Sequence, residues 1–304
     1  MLLSLCMSIL KPIIYFSLFK HPLTEEEIFL FSDITDKKIF LIELNKLVKS
    51  GIVIKVDDFF IVDKNYEHIK RRIRGNFEAE KVMPKVKKVA KFISKFPFIK
   101  GIAVSGSLSK GYYDDKSDFD FFVITKTKRV WISRMLLAVY KRLFLNNSHK
   151  EFCINYFIST DTLEIKDKNR FTATEIATII PLFGKNEFKN FYKSNQWVKK
   201  YFPNLVLEER IENIKEIRKS IIARIIEIVF DNPIGTLINY STMKVISFVW
   251  KKRYIKKANN PYKAKKEISK HHPDNFQQKV LTKINEQYSF FEKKHGINIA
   301  REIA

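Results

Sequence analysis

The segment Gly101–Thr125, GIAVSGSLSKGYYDDKSDFDFFVIT, constrains this chain more than any other. An apolar run leads into a Gly-Ser turn and a polar loop, and a second apolar run then opens on two aspartates. Ile102–Val104 reads as a buried strand, Gly106-Ser107 as the turn leaving it, and Asp118–Ile124 as a second strand. Side chains two apart on a strand point the same way, so Asp118 and Asp120 share one face while Phe119, Phe121 and Val123 fill the other. Two carboxylates on one face repel unless a cation lies between them, and burying them in a Phe-rich strand costs desolvation energy without aiding the fold. Mg²⁺, a hard cation, takes one or two carboxylates and completes its shell with water and phosphate oxygens. Gly106 has no Cβ to hold the backbone away from a phosphate, and the Ser107 hydroxyl with nearby N–H groups can donate to phosphate oxygens. A nucleotide is the natural third partner of the pair. The competing reading is an Asx-rich turn between two strands, built from ordinary turn residues.

The pattern Gly-Ser, ten residues, Asp-hydrophobic-Asp-hydrophobic, with Ser117 before the first aspartate, resembles the DNA polymerase β-like nucleotidyltransferase superfamily. The match covers residues 98–125, with weaker support to residue 165. The resemblance implies transfer of a nucleoside monophosphate from an NTP substrate to an acceptor hydroxyl, with release of pyrophosphate. The acceptor is unknown: a small molecule, a protein, another nucleotide or an RNA end. It further implies dependence on Mg²⁺ or Mn²⁺ held by Asp118 and Asp120, with nucleotide contacts from Gly106, Ser107, Lys110 and Ser117. In two-metal chemistry of this kind one ion activates the attacking hydroxyl and the other stabilises the leaving pyrophosphate. Lys110 and Lys116, in the connecting loop, are candidates for the β- or γ-phosphate and equally for solvated lysines. The Gly-Ser-x-Ser-x-Gly form of GSLSKG is also seen in the cyclic dinucleotide synthase branch.

The family pattern calls for a third carboxylate on a later strand. The strand candidate Phe152–Ile158 presents Asn155, whose amide oxygen can coordinate without the charge that tightens a divalent site. Glu164, beyond the Ser159–Thr162 turn, is the acidic alternative, and both stay open. Without a third acid the site binds its metal weakly. The opposing reading of the whole chain is then a catalytically inert nucleotidyltransferase-fold protein that binds nucleic acid or a protein partner.

The expected fold class is α+β, a mixed nucleotidyltransferase sheet flanked by an N-terminal winged-helix-like domain and a helical C-terminal domain. Residues 1–75 form the first part, 76–170 the catalytic core with a helical connector, and 171–304 the helical remainder. The N-terminal part rests on a helix near Met7–Phe19, a Thr24-x-x-Glu27 capping box and a third helix from Asp36 with an apolar stripe of Ile39, Ile42, Leu44 and Leu47. Ser50-Gly51 ends that helix, and Ile52–Lys55 with Phe59–Val62 reads as a hairpin. These pieces resemble a winged helix-turn-helix. The third helix carries lysines but no arginine to read guanine bidentately, which favours partner docking over sequence-specific DNA binding. From Thr172 onward the pattern reads as almost wholly helical, with Ile214, Ile217, Ile221, Ile225 and Ile228 as one buried stripe.

With 304 residues, 45% of them hydrophobic, the chain has enough apolar material for a large core, and composition speaks against disorder. Cys6 and Cys153 are the only cysteines, which excludes a disulfide framework and fits a reducing, cytoplasmic setting. The apolar opening lacks a basic leader and is interrupted by Lys11-Pro12. No later stretch of eighteen residues is free of charge, so no transmembrane segment is expected. A net charge of +23 attracts polyanions, and nucleic acid, nucleotide and anionic membrane all qualify as partners of the basic surface, beside a plain lysine-rich composition.

Overall fold

The computed structural model describes residues 2–148, 150–212, 214–254, 262–264, 266–271 and 276–302. Helix α1 (Leu2–Ser17) runs through Pro12 and buries Ile9, Leu10 and the stretch Ile13–Phe16. After the short strand β1 (Leu23–Thr24), helix α2 (Glu25–Phe31) starts at the capping box: Thr24 Oγ1 accepts from the Glu27 N–H, and the Glu27 carboxylate accepts from the Thr24 N–H. Asp36 caps α3 (Lys37–Lys49) by accepting from the Lys38 and Ile39 N–H groups. Strands β2 (Ile54–Val56) and β3 (Phe59–Ile61) join β1 in an antiparallel sheet of order β1-β3-β2.

The buried face of α3 differs from the expected stripe. Phe40, Glu43, Leu44 and Leu47 point inward, whereas Ile39 and Ile42 are 42% and 55% exposed. Phe40 is one residue from Ile39, and its ring takes the core position, meeting Phe29 edge to face at 5.1 Å.

The long helix α4 (Glu67–Ser94) links this region to a six-stranded sheet. That sheet contains β4 (Ile99–Ser105), β5 (Asp120–Thr125), β6 (Cys153–Ser159), β7 (Ile180–Phe183), β8 (Tyr262–Ala264) and β9 (Ile268–His271), in the order β7-β4-β5-β6-β9-β8. Among the described strand pairs of this sheet, only β5–β6 is parallel. A parallel pair needs a crossover, and α5 (Val130–Phe144) supplies it, with Trp131 fully buried. The remaining helices are α6 (Arg170–Thr178), α7 (Lys185–Ser194), α8 (Ile221–Phe230), α9 (Pro233–Tyr254) and α10 (Phe276–His295).

The sheet separates two apolar clusters. Phe119, Phe121 and Val123 pack with α4 and α5, while Ala103, Phe122 and Ile124 pack with α1, α6, α7 and α10. Asp120 lies on the Phe122 side by the period of the strand. This arrangement corrects two expectations for the C-terminal third. It is not almost wholly helical, because β7, β8 and β9 extend the sheet; strands of three or four residues hold too few alternating positions to register as a pattern. The isoleucine stripe is also not buried throughout. Ile214 is inside, but Ile221, Ile225 and Ile228 are 78%, 54% and 77% exposed on a helix that starts only at Ile221. Among the described residues, no helix is long and apolar enough to cross a membrane.

Candidate active site

Strand β4 ends with Ser105 directly opposite Asp120 of β5, and Gly106 follows with φ +68°. A Cβ at Gly106 would lie 2.3 Å from Asp120 Oδ2. Glycine is therefore required twice here, for the left-handed backbone and for the approach of the chain to the carboxylate. Ser107 then leads into a single 3₁₀ turn, Leu108–Lys110. Lys110 Nζ donates to the Gly106 carbonyl at 3.1 Å and lies 2.9 Å from Glu175 Oε1, so the lysine bridges the turn after β4 to helix α6.

The loop that delivers Asp118 is closed on itself. Tyr112 and Ser117 donate to the two Asp114 carboxylate oxygens at 2.6 and 2.8 Å, and the Asp114 N–H donates to Ser117 Oγ at 3.2 Å. The Ser117 hydroxyl is thereby engaged within the loop. Asp118 stands just before β5 and does not open it, yet the alternation continues outward. Phe119 enters the core, held by bonds from its N–H to the Lys150 carbonyl and from the Cys153 N–H to its own carbonyl. Asp118 and Asp120 both line one cleft of about 630 Å³.

The parallel β5–β6 pair places Asn155. Phe121 pairs with Ile154 and Phe122 with Tyr156, so Asn155 is the extra residue of a bulge. A bulge re-aims a side chain, and here Asn155 Nδ2 donates to Asp120 Oδ1 at 2.7 Å. Glu164 is not brought to this cleft. It pairs with Lys168, four residues on in the irregular segment before α6, at 2.6 Å in an exposed position, and that pairing holds its carboxyl below the usual range. The acid that does reach the cleft is Glu175 of α6. Nothing in the sequence around Glu175 signals this, because α6 is brought over the sheet by packing alone. Tyr192 is buried in the core beside Phe188 and Phe191.

Burial pushes the Asp120 carboxyl up to about 6, with the charges of Asp118 and Glu175 adding to the rise and Lys110 opposing it. Burial also pushes the Cys153 thiol up to about 12, with Asp120 reinforcing it, so it is no nucleophile at neutral pH. His21, at the edge of the cleft, is held well below its ordinary value by burial and then by Arg72, Lys110 and Arg71, which keeps the ring neutral. In the same cleft Phe19, Phe171 and Phe276 form an aromatic wall, with Phe276 centred 6.4 Å from Phe19 and 5.8 Å from Phe171.

The donor set fits a divalent metal of a particular kind. Among the described residues no group of three or more His, Cys, Asp or Glu side chains is placed to hold an ion unaided. Two carboxylates beside an open cleft match an Mg²⁺-type ion that completes its shell with substrate oxygens; burial first, and then the charges of Asp118 and Glu175, disfavour the Asp120 carboxylate, and such an ion would offset both.

No curated protein and no solved structure matches the chain. Residues 83–255, more than half of its 304 residues, match the family model of the nucleotidyltransferase domain, and that span contains the Gly106 turn, both aspartates, Asn155 and Glu175. Mixed sheet, glycine turn and aspartate pair agree with that match, and the chain belongs to the nucleotidyltransferase domain family, of the polymerase β-like kind, as a transferase of phosphorus-containing groups.

Proposed function

We propose that this cleft binds an NTP together with Mg²⁺ or Mn²⁺ and transfers its nucleoside monophosphate to a hydroxyl acceptor, releasing pyrophosphate. The observation that carries this reading is the half-buried Asp120 carboxyl beside Asp118, packed against Gly106, where a Cβ would meet it at 2.3 Å on a left-handed backbone. When bound, the metal would polarise phosphate oxygens and neutralise charge that develops on the pyrophosphate. Asp118 and Asp120 would hold it. Asn155 fixes the Asp120 carboxylate in one orientation through its N–H···O bond. Gly106 and Ser107 leave the backbone open to a phosphate, and Lys110, bonded to the Gly106 carbonyl beside them, is placed for the β- or γ-phosphate. Glu175 holds the Lys110 ammonium at the cleft in the absence of substrate. The aromatic wall of the cleft is placed to flank a base.

The acceptor class is a small molecule, a protein hydroxyl or another nucleotide. The N-terminal helices are proposed as a docking element, with Ile39, Ile42 and the lysines of α3 on the outer face. Nucleic acid remains a proposed partner of the basic surface through the net charge of +23.

The test is pyrophosphate release from each of the four NTPs with Mg²⁺ or Mn²⁺, wild type against the Asp118→Ala/Asp120→Ala double variant. Release by wild type should exceed that of the variant by about a thousandfold, since several kcal/mol of charge stabilisation rest on the metal. Equal release from both proteins would overturn the assignment of these residues.

A further inference from the structure

Helices α8 and α9 form a hairpin whose inward side mixes polar and small residues with Met243, Ile246 and Trp250, which pack against the apolar cluster of the sheet. Asn239 Oδ1 accepts from the Trp131 and Ile132 N–H groups at 2.9 and 3.2 Å, Ala223 is buried, and Glu227 accepts from the Phe98 N–H at 2.6 Å. Most of the large aliphatic side chains are on the outside. On α8, Ile221, Ile222, Ile225, Ile228 and Val229 are each more than half exposed. On α9, Ile234, Leu237, Val245 and Phe248 are as exposed and recur at helical spacing along its outer side. Soluble monomers rarely leave contiguous apolar surface beyond a few hundred Å² open to water, so this face has an occupant.

The charges around the face identify that occupant. Arg224, Lys244, Lys251 and Lys252 are the exposed basic side chains of the two helices, against one exposed acid, Asp231, and Lys252 Nζ lies over the Phe248 ring at 4.8 Å, its stem along the apolar surface. The carboxylates of the same segment are engaged elsewhere: Glu227 with the Phe98 N–H and Lys219, Asp231 with Lys126 and Arg129. A two-fold contact with a second copy would set this basic rim against itself in a chain whose net charge is +23. A lipid surface with anionic headgroups meets both features at once, apolar side chains entering the acyl boundary and basic ones meeting phosphate.

We propose that the α8–α9 hairpin is a peripheral membrane-docking surface, which lays its aliphatic face on an anionic bilayer without crossing it. The test is cosedimentation of the full chain with vesicles of phosphatidylcholine alone or mixed two to one with phosphatidylglycerol. Two variants are compared with wild type, Ile221→Gln/Ile225→Gln/Ile228→Gln and Arg224→Gln/Lys251→Gln/Lys252→Gln, with thermal unfolding to confirm that each is folded. Wild type should partition onto the mixed vesicles at least about tenfold more strongly than onto phosphatidylcholine, and each variant should lose about tenfold. Wild type left in the supernatant with both vesicles would overturn the proposal. So would undiminished binding of the isoleucine variant, which would reduce the effect to net charge. A concentration-dependent dimer in sedimentation velocity, abolished by the isoleucine variant, would assign the face to a second copy and equally overturn it.

Discussion

At Asp120 the requirements of folding and of chemistry oppose each other. Its carboxyl titrates at about 6, against about 3.9 for an unstructured aspartate, so the folded protein binds this proton more tightly than the unfolded chain does. The sign follows from that order. The contribution of Asp120 to stability is most favourable below pH 4, declines between pH 4 and 6, and stays about 3 kcal/mol lower above pH 6. Asp120→Asn removes the charge and keeps an oxygen to accept from Asn155. In the metal-free protein at pH 7.5 the variant should be more stable than wild type by about 1–3 kcal/mol in urea unfolding, with the gain about halved at pH 5. Pyrophosphate release should fall by about a hundredfold or more in the same variant. A gain that is the same at both pH values would show that the carboxylate carries no burial cost. The pairing of Asp118 with Asp120 was legible in the sequence because a period of two is simple to read, and Gly106 because a turn must leave a strand. The choice between Asn155 and Glu164 was not, since it depends on a bulge in a parallel pair and on a local Lys168 partner. Glu175 was invisible for the same kind of reason, its place being set by helix packing.

The bulge on β6 belongs to the scale of elements, because one extra residue in a parallel ladder decides which side chain faces Asp120. Asn155→Asp puts a third carboxylate at that position. Without metal it should lower the melting temperature by several degrees, since a like charge is added beside Asp118, Asp120 and Glu175 in a partly buried site. With Mn²⁺ and a non-hydrolysable NTP analogue the rise in melting temperature should exceed that of wild type, because a charged ligand replaces an amide. A variant that melts lower by the same amount with and without the metal would place residue 155 outside the coordination sphere. The same scale explains where sequence reading of the elements held and where it failed. The capping box of α2 and the start of α3 at Asp36 each carry a local chemical signal. Short strands such as β7 and β9 carry none, and the isoleucines of α8 have helical spacing without saying which way the face points. Periodicity finds a face but not what covers it.

At the scale of the whole molecule, the site depends on residues far from it in the chain. One apolar cluster runs from α1 through the Phe122 face of the sheet to α6 and α10, so the helix that carries Glu175 is gripped from both ends of the sequence. A buried ion pair completes the grip. Arg170, the first residue of α6, donates from Nε to Glu302 Oε1 at 2.6 Å, with both side chains less than a tenth exposed. Asn285 of α10 holds the same segment by accepting from the Glu302 N–H at 2.8 Å. Removing one member of a buried pair leaves the other as an uncompensated charge, which costs more than the pair itself contributes. Glu302→Ala should therefore destabilise the protein by about 3–5 kcal/mol in urea unfolding. Arg170→Met/Glu302→Leu, which removes both charges and keeps apolar bulk, should recover most of that loss. Activity distinguishes a structural from a chemical role. If α6 is held in place by this pair, Glu302→Ala should lose turnover by displacing Glu175 and Lys110, and the double variant should restore it without either ion. Turnover that stays low in a double variant of wild-type stability would mean that the charge of Arg170 acts on the cleft directly. That result would contradict the purely structural role assigned to it by its burial.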